Sequence, residues 1–363
     1  MKTLVALMMG LLFLILPVSA AGQEELLQKQ REQLGVDKLE EAAREFLGNS
    51  QLMLDQSLEE NLGVLWDTGQ SQIGGILKRA LRSGVMILAV ILLCGVGQSL
   101  FPQHNNMSVS LVGVLAVSSI AVGDVQSLLG MGKQLMETMV SFSNILLPVV
   151  AGVTTATGAI TGGAARQMAA VLFSNLLTNL FHQLLLPLLY GYLAALIAWS
   201  ALGNPGLKRV CDLLKWMVVT LLSIIMLSYV SYLTLTGVVA GAADGASIKA
   251  AKFAISGAVP VVGRILSDAA ETMLAGAGLL RGAVGIFGTV VIVAICLIPF
   301  LQLAIHYLIY KMVAALTATV GEGRICGLVE GIGGAFGLLL GMTGSSSLLL
   351  LISLVSSVTV MTV

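Results

Sequence analysis

The chain has 363 residues, 57% apolar and 10% charged, with zero formal net charge and a mean hydropathy of +0.96. Several apolar runs exceed the roughly 18 residues that mark a membrane span, which excludes a soluble globular protein. No Lys/Arg cluster interleaves with aromatics, so nucleic acid and polyphosphate surfaces are excluded as partners.

A bilayer core has no water for backbone groups, so spans are helices or a closed barrel. The runs lack the polar alternation of barrel strands. The fold class is therefore all-α, a polytopic helical protein in contact with the lipid bilayer. Cys94, Cys211, Cys296 and Cys326 are widely separated and lack zinc or disulfide spacing, so they read as small apolar packing residues.

The first element, MKTLVALMMGLLFLILPVSA, carries one Lys, an apolar core from Leu4 to Leu16 and small residues at Val18-Ser19-Ala20. It reads as a signal peptide over 1–21, with an uncleaved anchor as the other reading. In either case the next segment faces the far side of the membrane. Residues 22–83 form an acidic extracytoplasmic segment in which Leu34, Leu39, Ala42, Ala43, Phe46 and Leu47 recur at helical spacing, predicting short amphipathic helices. No loop of alternating carboxylates occurs, so a solvated acidic face is expected there rather than an ion site.

The multi-span domain is expected over 84–363. Its apolar runs fall near 84–100, 107–129, 139–160, 168–202, 216–239, 283–310 and 331–363. Pro187 is positioned to divide the fourth run and Thr343 to Ser347 the last, giving six to eight spans. Lys208, Arg209 and Lys215 beside Asn204-Pro205-Gly206 form the strongest positive loop, which the positive-inside rule puts in the cytoplasm. Lys78, Arg79 and Arg82 oppose this if the signal reading holds, unless 73–82 is an interfacial helix.

Between two apolar runs lies an amphipathic hairpin, 246–278, broken at Val259-Pro260-Val261-Val262-Gly263. Arg264, Asp268 and Glu271 are spaced by four and three residues and share a helical face, while Lys249 and Lys252 lie upstream. Pro260 cannot continue a helix but suits a first turn. A gate built on two helix ends and an interfacial linker with solvated charges are both open readings.

Within the fourth run, Asn175, Asn179 and His182 share a stripe expected to meet other helices or a polar cavity. Asp124 lies near a span end, where it can reach headgroups, and His306 is isolated. Glycine numbers 41, well above the usual share of about 7%. Gly323, Gly327 and Gly331, then Gly333, Gly337 and Gly341, repeat every four residues as packing stripes within the chain or between copies. No catalytic, metal or cofactor motif is found: Gly331 to Gly337 misses the dinucleotide fingerprint, and no P-loop, HExxH or GxSxG occurs. The protein is expected not to be an enzyme.

The stretch Lys252 to Gly276 resembles the stage III sporulation protein AE family of endospore-forming bacteria. Lys252, Pro260 to Gly263 and Ser267-Asp268 carry the likeness, and it continues through Leu280 to Gly285, the Pro299 span and Tyr310 to Leu316. Arg264 departs from it, standing where the family has a second glycine. The resemblance implies a non-enzymatic subunit in the mother-cell membrane around the engulfed forespore. It also implies partners: other proteins of the stage III sporulation A operon and a forespore channel protein, together forming a channel or secretion-like conduit. A secondary transporter of a small solute is the competing reading, as the broken helix and polar stripe would suit one, although no inverted repeat is visible. An intramembrane enzyme would require Asn179, His182 and Asp268 to converge.

Overall fold

The computed structural model describes residues 28–29, 31–47, 54, 58–156, 172–258, 262–318 and 323–359; the side chains at 58, 100, 106–107, 233–279 and 356–359 fall outside this description. The expected signal peptide at 1–21 lies outside the described residues. Every regular element among them is helical: α1 Val36–Leu47, α2 Leu58–Leu100, α3 Asn106–Ala156, α4 Leu172–Leu202, α5 Pro205–Ala258, α6 Val262–Thr317 and α7 Gly323–Thr359. Six of these, α2 to α7, are long and apolar enough to cross a membrane, the lower bound of the expected range.

Three expected divisions do not occur. The runs at 107–129 and 139–160 join in α3: 130–138 contains no proline, its glycines Gly130 and Gly132 are accommodated in the helix, and Lys133–Glu137 forms an i,i+4 pair at 3.9 Å. Pro187 does not divide α4. A π-helical turn, Phe181–Leu185, precedes it, with the Leu186 amide donating to the Phe181 carbonyl, and the chain continues as α-helix. The segment Thr343 to Ser347 leaves α7 intact, since the Thr343, Ser345 and Ser347 hydroxyls donate to carbonyls four residues earlier, at 2.8 to 3.0 Å. The boundary expected at 83/84 falls inside α2.

The long helices alternate in direction. Gly69 and Gly84 of α2 face Leu297 and Ile309 of α6 in parallel order, while Gly113 and Gly132 of α3 face Ile325 and Leu339 of α7. Lipid is as apolar as leucine, so close contact and hydrogen bonds rather than hydrophobic exclusion hold such helices together. One buried cluster, including Ile87, Val114, Phe181, Tyr310 and Phe336, lies toward the α4–α5 turn. A second, including Leu39, Phe142, Val153, Phe287 and Leu354, surrounds α1 at the opposite end.

α1 follows Gly35, whose φ of +72° only glycine adopts without strain. Its buried face of Val36, Leu39, Ala42 and Ala43 rests on the end of α3, with Phe46 edge-on to Phe142 at 6.3 Å. Glu40 accepts from the Leu54 amide at 3.0 Å and lies 3.7 Å from Arg31. α5 is the least enclosed of the spans, with 11% of its apolar window buried against 56% for α7, and it turns Trp216, Val219, Ile224, Leu227 and Val230 outward.

Candidate functional site

The sequence Gly203-Asn204-Pro205-Gly206 folds α4 back into α5 within two non-helical residues. Gly203 ends α4 at φ +69°, its amide donating to the Trp199 carbonyl at 2.7 Å. Asn204 Oδ1 accepts from the Gly206 amide at 2.8 Å, and Pro205 takes the first helical position, where no amide is needed. A Cβ on Gly203 would also lie 2.6 Å from Arg324 Cζ, so the turn and the start of α7 are in close approach.

Beside this turn, residues of α4, α5, α6 and α7 line a cavity of about 570 Å³. α5 supplies Lys208, Asp212 and Lys215, at spacings of four and three; α6 supplies Lys311 and α7 Glu330. Lys311 Nζ donates to Glu330 Oε1 at 2.8 Å, and Lys208 Nζ stands 5.6 Å from the Trp199 ring centroid. At the inner end the Tyr192 hydroxyl donates to the Gly331 carbonyl at 3.0 Å. Five charged side chains thus line a recess in a chain only 10% charged. The sequence marks Lys208 and Lys215 only as a positive loop, because Lys311 and Glu330 arrive from helices far away in the chain.

The glycine stripes meet bulky neighbours. Cβ atoms on Gly327 and Gly331 would lie 2.6 Å from Trp199 and 2.5 Å from Leu196, and on Gly333 and Gly337 3.1 Å from Tyr310 and Tyr307. Gly323, Gly327 and Gly331 also line the cavity, so the first stripe serves both as a contact and as an open wall. Among the described residues, a Cβ on Gly323 or Gly341 would meet no heavy atom of another element within 4 Å.

Asp124 does not simply reach toward headgroups: its Oδ2 accepts from the Tyr310 hydroxyl at 2.8 Å, tying α3 to α6. Tyr310 is fully buried and packs edge-on to Phe336 at 5.0 Å. His306 is buried, its Nδ1 2.7 Å from the Gln302 carbonyl. Of the stripe on α4, Asn175 and Asn179 are exposed among the described residues, and His182 stands 3.8 Å from Glu137. The exposure follows helical phase, since Leu177, Phe181 and Leu185 occupy the buried face.

In the 246–278 hairpin, Pro260 lies outside the described residues. Lys249 and Lys252 fall on α5 and Gly263, Arg264, Asp268 and Glu271 on α6, with side chains outside the description. Among the described residues, no group of three or more His, Cys, Asp and Glu side chains is placed to hold a metal.

Residues 55–361 match the family profile described as Stage III sporulation protein AE. The chain belongs to this family. The matched region holds α2 to α7, the cavity and the hairpin, and leaves out α1. The chain is similar to Stage III sporulation protein AE of Bacillus subtilis (strain 168), with 23% identity over 246 residues, 67% of this chain and 61% of that protein. The aligned part therefore spans less than two thirds of that relative. No solved structure matches this chain. This chain is a multi-pass membrane protein of the stage III sporulation protein AE family.

Proposed function

We propose that this AE-family protein is a non-enzymatic membrane subunit of a channel or secretion-like complex joining mother cell and forespore, required for forespore development after engulfment. The observation that carries this reading is the family match across six membrane-length helices. Other proteins of the stage III sporulation A operon and a forespore channel protein would be its partners. The outward apolar side chains of α5 support a place beside lipid or neighbouring subunits.

Lys208, Arg209, Lys215 and Arg324 gather at the end where α4 turns into α5 and α7 begins, and this charge supports a mother-cell cytoplasmic place for that end. α1 then faces the space between the two membranes.

Deletion of the gene tests this. Sporulating cells are expected to complete engulfment and then lose heat-resistant spores; a normal spore yield overturns the assignment. Affinity isolation from sporulating cells is expected to recover operon partners. Recovery of the protein alone, together with solute uptake by proteoliposomes, would establish the transporter reading instead.

A further inference from the structure

We propose that the cavity between α4, α5, α6 and α7 is a binding site for an anionic phospholipid with a hydroxyl-bearing headgroup, of the phosphatidylglycerol class. The cavity lies where α4 ends and α5 and α7 begin, the depth at which headgroups meet spanning helices. Basic recesses between membrane helices at this depth suit phosphate diesters.

The charges divide the work. Lys311 and Glu330 form an ion pair at 2.8 Å, and Lys215 also stands near enough to attract Glu330; the three lysines against Asp212 and Glu330 leave the recess with one net positive charge. Lys208 and Lys215 are seven residues apart, two turns of one face, and supply positive charge for a phosphate. Trp199, beneath Lys208, provides the interfacial aromatic surface, and Leu196 and Ala315 provide apolar wall for the glycerol and upper acyl carbons. α7 opens at Gly323 onto the same space, so the positive end of its dipole faces the anion.

Asp212 gives the site its selectivity. A carboxylate between two lysines weakens a site for bare phosphate, but it accepts hydrogen bonds from headgroup hydroxyls. A diester bearing a second glycerol satisfies all three side chains together. At about 570 Å³ the recess accommodates a headgroup and not a folded partner.

The test is native mass spectrometry of the full-length protein purified from membranes containing phosphatidylglycerol. Wild type is expected to retain bound phosphatidylglycerol through detergent exchange. Lys208→Gln and Lys215→Gln should each lower its occupancy by about fivefold, and the pair by more. Lys208→Arg with Lys215→Arg should preserve it, and Asp212→Asn should erase the preference over phosphatidic acid. Lys78→Gln, an exposed cation away from the cavity, should change nothing. Unchanged retention in the paired Gln variant, or equal retention of phosphatidylcholine, overturns the site. Displacement of the lipid by inorganic phosphate identifies a soluble anion as the ligand and overturns the lipid assignment. Should the paired variant fail to fold, as judged by circular dichroism, the single Gln variants decide.

Discussion

The same substitution at two glycines of α7, Gly331→Ala and Gly341→Ala, is predicted to stabilise only at Gly341. Each removes a glycine from a helix interior, which alone gains about 1 kcal/mol. At Gly341 a new Cβ meets nothing within 4 Å, so that gain is kept. At Gly331 the Cβ would lie 2.5 Å from both Leu196 methyls and 3.0 Å from Leu196 Cγ. Leu196 is 3% exposed and all three of its outer carbons would have to shift, so overpacking of about 1–3 kcal/mol offsets or outweighs the gain. The two variants should therefore differ by about 1–3 kcal/mol, Gly331→Ala being the less stable.

A double-mutant cycle locates the effect. Leu196→Ala alone costs about 2–5 kcal/mol, but it makes room for the Gly331→Ala methyl, so the loss in the double variant should fall short of the sum of the two single losses by about 1 kcal/mol or more. Unfolding in mixed micelles can be followed with a thiol-reactive dye, because Cys211, Cys296 and Cys326 are buried in the folded chain. Equal stability of the two glycine variants, or strict additivity in the cycle, would refute the claim that α4 and α7 touch through this stripe.

The polar ties and the hairpin give further expected outcomes. Tyr310→Phe removes the donor to Asp124 at the α3–α6 contact and is expected to cost about 1–3 kcal/mol; Asp124→Asn, which keeps an acceptor, should cost less, and the reverse order in micelle unfolding would contradict the tie. Lys311→Gln should cost no more than about 1 kcal/mol, with a difference from wild type that shrinks as salt rises, because Lys311 and Glu330 are 38% and 62% exposed. Pro260→Ala and Asp268→Lys are expected to lower spore yield if the hairpin is a gate; wild-type yield from both would make it a linker.

Much of the architecture is legible from hydropathy, because helices that meet lipid must be both long and apolar. The Gly203 to Gly206 turn is equally readable, since each residue there has a local conformational reason. Polarity, however, is not a conformational break: 130–138 reads as a loop and continues as helix, with Leu135 and Met136 buried on the far side from Lys133 and Glu137. Proline also misleads in α4, where the π-helical turn absorbs the strain ahead of Pro187. The cavity is the least legible feature. Its charges come from α5, α6 and α7, and Asp124 finds Tyr310 186 residues away, so their meeting depends on packing that no local pattern encodes.

α3 carries a mechanical consequence. Its 51 residues form a rod of about 77 Å, and a bilayer core of about 30 Å can cover less than half of it. Its outward side chains change accordingly, from Val112, Leu115 and Val122 to Lys133, Glu137, Ser141 and Asn144. α1 is fastened near the far tip, against Val149 and Val153. The rod therefore acts as a ruler: whatever engages α1 meets it at a height above the lipid fixed by helical rise, not by the reach of a flexible loop.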